Sequence, residues 1–83
     1  MGYHLREITK GRLGEFSKIR EEFEELSDAM EQDAKILVLC ELADLVGAID
    51  AFVKQEFKGS IGFDDVILMT QMTRDAFEEG ERK

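Results

Sequence analysis

Hydrophobic positions crowd one stretch of the chain, Ile36 to Val53 (ILVLCELADLVGAIDAFV), which as a helix is apolar almost all the way round. Three charges interrupt it. Glu41 and Asp44 stand three residues apart and so share a face. Asp50 falls nearly opposite Glu41 on a helical wheel, which fits a hydrogen bond at a subunit interface better than a shared ligand. An ionised carboxylate inside an apolar core costs on the order of several kcal/mol unless it is compensated. Two such groups repel, and no Lys or Arg lies between Ile36 and Val53 to offset them. The pattern therefore predicts a bound counter-ion, and a hard divalent metal ion is the candidate.

The rest of the pattern predicts two more helices. Phe16, Ile19, Phe23, Leu26 and Met30 recur at three- and four-residue steps, an inward stripe for a helix from Glu15 or Ser17 to Met30, with Ser17 as its N-cap. Glu31 to Ala34 reads as a short connection in which Asp33 caps the next helix, Ala34 to Phe57, so the two form an antiparallel hairpin. Gly47 in mid-helix predicts a close helix approach, and Cys40 among apolar neighbours predicts a buried small hydrophobe. After the turn Gly59–Gly62, a third helix runs from Phe63 to about Glu79. Asp64 and Asp65 lie at its positive end, Val66, Met69, Met72 or Thr73, and Phe77 form its inner stripe, and Gly80 lies beyond its end. Residues 1–14, punctuated by Gly2, Gly11 and Gly14, read as an extended arm and loop. Tyr3 and His4 in that arm suit stacking on a base or packing on a partner subunit.

The expected fold class is thus all-α: a helical hairpin (15–57) plus a C-terminal helix (63–80) in a single domain, 1–83. Three short helices bury the apolar middle one poorly, so two chains are expected to pool their hairpins into a four-helix bundle, as a homodimer or homotetramer. Composition narrows the function. The net charge of −8 disfavours nucleic-acid binding, while a nucleotide remains admissible if cations bridge it. The single cysteine excludes an intrachain disulfide, no apolar run approaches the ~20 residues of a membrane span, and no signal peptide is visible, so a cytoplasmic protein is expected.

The acids of the first helix match those of the second. Glu22-x-x-Glu25-Leu26 on the first faces Glu41-x-x-Asp44-Leu45 on the second across an antiparallel hairpin. Glu21 and Glu24 form the same pair in the adjacent register; Leu26 after Glu25, as Leu45 follows Asp44, favours Glu22 and Glu25. Four carboxylates supply the oxygen ligands that Mg²⁺ takes, with waters or phosphate oxygens completing its octahedron. The pair spacing also suits two ions ~3.5–4 Å apart.

EEFEEL (Glu21 to Leu26) followed by ELADLVGAI (Glu41 to Ile49) resembles the paired E-x-x-E and E-x-x-D motifs of the MazG-like, all-α nucleoside triphosphate pyrophosphohydrolases. That superfamily includes dimeric dUTPases, dCTP pyrophosphatases and phosphoribosyl-ATP pyrophosphohydrolases. The resemblance is best over Ser17 to Phe52. It implies hydrolysis of a nucleoside triphosphate to the monophosphate and pyrophosphate, with Glu22, Glu25, Glu41 and Asp44 holding Mg²⁺, for which Mn²⁺ can substitute. The metal would acidify a water that attacks the α-phosphorus, and Glu22 or Glu25 would take the proton. Lys18 and Lys54 are candidate phosphate-binding cations, with Arg74 and Arg82 behind them. The competing expectation is a non-catalytic helical dimerisation module whose acids decorate the surface or hold a structural ion. A di-iron or calcium protein fits poorly: there is no E-x-x-H or EF-hand pattern, and His4 is expected nowhere near an acidic helix pair.

Overall fold

The computed structural model describes residues 4–78, apart from the side chain of Phe77. The expectations for Met1 to Tyr3, for the side chain of Phe77 and for Glu79 to Lys83, Gly80 and Arg82 included, lie outside the described residues. The described chain is all-helical: α1 spans Phe16–Glu31, α2 Lys35–Phe57 and α3 Phe63–Glu78, with no strand among them. Residues 4–15 form an irregular arm that lies back along α1.

Helix α1 ends in a tight reversal that makes the hairpin. Asp33 takes a left-handed conformation (φ 55°), its N–H bonds to the Met30 carbonyl at 3.0 Å, and the Ala34 N–H reaches the Ala29 carbonyl at 3.4 Å. This is the Schellman pattern with Asp where glycine is usual; a short polar side chain tolerates that region better than most. Asp33 therefore closes α1 rather than capping α2, whose N-cap is Ala34 with no side-chain bond. Ser17 likewise does not cap α1. The N-cap is Glu15, and the Ser17 hydroxyl accepts the Arg12 N–H at 3.1 Å, tying the arm's return to the helix. At the other end of α2, Lys58 (φ 52°) and Gly59 (φ 87°) turn the chain. Gly62 then opens α3, its N–H donating to Asp65 Oδ2 at 2.9 Å in half of a capping box.

The faces of the hairpin differ from the expectation in one important way. Helix α1 turns Glu21, Glu22, Asp28 and Ala29 inward, while Phe16, Phe23 and Met30 of its apolar stripe are 58–62% exposed. The buried apolar residues are only Ala29, Ala48 and Val53 among those described. Helix α2 buries Glu41 and leaves Ile36, Leu39, Leu42 and Val46 in the open. Cys40 is exposed rather than buried. Gly47 has open space around it, so no close approach within the chain accounts for it. Helix α3 touches α2 and not α1, and Met69 and Met72 of its supposed inner stripe are 60% and 64% exposed. Periodicity says which residues share a helical face; the single chain covers the acidic face of α1 rather than its apolar one. No helix among the described residues is long and apolar enough to cross a membrane.

Candidate metal centre

The hairpin places both acidic pairs in one cleft. The Schellman turn sets α1 and α2 antiparallel, so the inward face of α1 that carries Glu22 and Glu25 meets the face of α2 that carries Glu41 and Asp44. One oxygen from each of Glu22, Glu25, Glu41 and Asp44 lies within 4.8 Å of all the others. Glu22 and Glu41 are each 5% exposed, Glu25 is half-buried and Asp44 opens to solvent. The cluster therefore has a closed floor and an open lip.

The electrostatics of this cleft are unbalanced. Lys18, one turn before Glu22, puts its Nζ 3.1 Å from Glu21 Oε1 and 3.1 Å from Glu22 Oε2. Those bonds, Glu21's first, raise the Lys18 pKa above its ordinary value and keep it charged. No Lys or Arg among the described residues comes within salt-bridge distance of Glu25, Glu41 or Asp44. Burial, the nearby Glu22 charge and a hydrogen bond with Glu41 together push the Glu25 carboxyl up to about 8. Oε1 of Glu22 and Oε1 of Glu41 are buried with no hydrogen-bond partner among the described residues. A buried acceptor left this way costs about 1–3 kcal/mol, more if charged. Crowded oxygens, two of them unpartnered, fit a divalent cation of the Mg²⁺ class, which takes oxygen donors and keeps some water.

The neighbouring register has a different job. Glu21 is buried, but its oxygens are taken: Oε1 accepts the Gly11 N–H at 2.8 Å and Lys18, while Lys10 lies 3.6 Å from Oε2. Burial opposes its ionisation, yet the Gly11 N–H and Lys18 outweigh burial and hold it below the ordinary carboxylate range. Glu24 points to solvent. The structure thus separates the two registers: Glu21 anchors the arm, and Glu22 with Glu25 enters the cleft.

Lys18 reaches the cluster's edge through Glu22, whereas Lys54 does not come to it. Lys54 pairs with Asp50 at 3.5 Å, is largely exposed, and sits about 15 Å along α2 from Asp44 at 1.5 Å per residue. Asp50 has one oxygen on Lys54 and a second, buried oxygen with no hydrogen-bond partner among the described residues, on the face away from the cluster. Arg74 pairs with Glu78 on α3 at 4.0 Å. Beside Glu41 and Asp44 the surface dips into a largely apolar groove of about 560 Å³, walled by Ile36, Leu37 and Cys40.

Asp28 was not singled out in the sequence, and His4, expected away from the acidic helix pairs, is found beside them. Asp28 is fully buried and accepts the Leu5 N–H at 2.7 Å. His4, remote in sequence, is carried by the arm to the cluster. Its Nδ1 lies 3.3 Å from Asp28 Oδ2, and its Nε2 lies 3.8 Å from Glu25 Oε1 and 4.0 Å from Glu41 Oε2. The spacing Glu22-x-x-Glu25-x-x-Asp28 continues one helical face and was the available signal for Asp28. Nothing local in the sequence signals His4, because its contacts are made by the arm folding back. Comparison of the chain with protein-family models, with curated proteins and with solved structures finds no match.

Proposed function

We propose that the chain is a Mg²⁺-dependent nucleoside triphosphate pyrophosphohydrolase, releasing pyrophosphate from an NTP or dNTP, with Mn²⁺ able to substitute. The observation that carries this reading is the convergence of Glu22, Glu25, Glu41 and Asp44 on one cleft with a buried, unpartnered oxygen on two of them. Surface acids spread apart to lower their repulsion; acids held together in a cleft call for cations, and a polyphosphate is a ligand that such cations bridge. Bound Mg²⁺ would supply charge neutralisation for the phosphates and a more acidic water. The chain's own residues do the rest. Glu22 and Glu41 are held by their burial, and Asp44 by its place on the same helix of the hairpin as Glu41. Glu25, at the partly open edge of the cluster, is placed to accept a proton from an attacking water once a cation offsets its acidic neighbours. Lys18 adds a fixed positive charge at the rim. The apolar groove beside Glu41 and Asp44 offers a place for a base or sugar.

The reading includes an assembly. With Phe16, Phe23 and Met30 of α1 and Leu39, Leu42 and Val46 of α2 in the open, the hairpin has an apolar side that two copies can bury as a four-helix bundle. The same exposed side supports the second reading, a dimerising module without catalysis. One experiment separates them: pyrophosphate release from a panel of canonical and modified NTPs and dNTPs with Mg²⁺ or Mn²⁺. The enzyme reading expects metal-dependent release that Glu41→Gln with Asp44→Asn abolishes, by at least a hundredfold. No release on any nucleotide, or release that survives the double substitution, overturns it.

A further inference from the structure

The arm adds a nitrogen to a cleft otherwise built from oxygens. His4 Nε2 stands 3.8 Å from Glu25 Oε1 and 4.0 Å from Glu41 Oε2, both beyond hydrogen-bonding reach. Two donor atoms that share an ion at ~2.0–2.2 Å stand roughly 3 to 4 Å apart, depending on the angle between them. The ligand atoms of His4, Glu25 and Glu41 all lie within 4.8 Å of one another. Glu41 is 5% exposed, and its Oε1 has no hydrogen-bond partner among the described residues.

A carboxylate also stands behind the imidazole. Nδ1 faces Asp28 Oδ2 at 3.3 Å, and the same oxygen accepts the Leu5 N–H at 2.7 Å. Asp28 is fully buried, so this carboxylate is a fixed post. Metal-bound histidines commonly have a carboxylate near one ring nitrogen and the metal on the other, the carboxylate setting the tautomer once it accepts the ring N–H; Asp28 and the acidic oxygens stand at the corresponding two sides of His4.

We infer that His4, Glu25 and Glu41 form a mixed nitrogen–oxygen cation position, with Asp28 behind the imidazole, that takes a borderline transition-metal ion such as Zn²⁺ or Co²⁺ in preference to Mg²⁺. The preference follows from donor chemistry: imidazole suits Zn²⁺ and its neighbours, while Mg²⁺ seeks oxygen alone. The position shares Glu25 and Glu41 with the four-carboxylate cluster, and so rests on the reading that this cleft binds divalent ions. Sharing makes the metal content of the cleft depend on the seating of the arm.

His4 is the chain's sole histidine, which makes a direct test possible. With ¹⁵N-histidine in the wild-type chain, Zn²⁺ alone is expected to shift the Nε2 resonance, and Mg²⁺ alone is not. By calorimetry, His4→Ala should weaken Zn²⁺ at least tenfold while changing Mg²⁺ less than twofold, and Asp28→Asn should weaken Zn²⁺ to a lesser degree. A wild-type Nε2 resonance that ignores Zn²⁺, while Mg²⁺ still binds, overturns this inference and leaves the proposed function standing. Failure of Mg²⁺ and Zn²⁺ alike to bind the wild-type chain overturns both. The resonance is read on the unaltered protein, so a variant that folds poorly does not blunt the result.

Discussion

Glu25 is the residue on which the cleft's pH behaviour turns. Burial and its acidic neighbours raise its carboxyl from an ordinary 4.5 to about 8. Between those values the folded chain holds a proton that the unfolded chain releases, so folding is favoured by acid there. The contribution is full below about 4.5 and disappears as pH climbs through about 8. The melting temperature of chelator-treated protein should therefore fall from about pH 5 to about pH 8 through this group. Saturating Mg²⁺ should oppose that fall, because the ion replaces the proton, and thermal melts along a pH series with and without the ion read both effects. Gly11 is the second telling residue. A Cβ there would collide with the Ser17 carbonyl, while the Gly11 N–H holds Glu21. Gly11→Ala should cost about 1–3 kcal/mol in chemical denaturation by forcing the arm off α1.

At the level of elements, the hairpin and the meeting of its acidic pairs were legible, because both follow from local spacing. Acids three residues apart share a helical face, and a short polar break between two helices brings those faces together. What the spacing could not carry was burial. Phe16, Phe23 and Met30 do share a stripe, but periodicity says which residues lie together and not what covers them. Cys40 failed for the same reason: its apolar neighbours lie on a helix that one chain leaves half uncovered. Asp28 was missed and His4 misplaced because they are brought together by a segment whose contacts span more than twenty residues. The arm is therefore the element whose removal says most. A chain starting at Ser17 should keep the hairpin's helical signal yet melt lower and bind Zn²⁺ more weakly, measured by circular dichroism and calorimetry on one preparation.

For the molecule as a whole, the exposed apolar side is the dominant fact. Phe23 at 60% and Leu39 at 66% exposure are among the large apolar side chains that the hairpin leaves open, a feature that marks interaction sites when such side chains are contiguous. Sedimentation at micromolar concentration should give at least twice the 9.5 kDa chain mass, and Phe23→Glu with Leu42→Glu should return it to the monomer with a lower melting point. A folded wild-type monomer at that concentration would remove the bundle. One further consequence follows from an interior whose buried apolar residues, among those described, are only Ala29, Ala48 and Val53. Such a chain has few internal contacts with which to hold its shape, so its persistence becomes a property of its surroundings. Dilution and a chelator, each mild when applied alone, should act in concert, and the midpoint of unfolding should move with the logarithm of both concentrations.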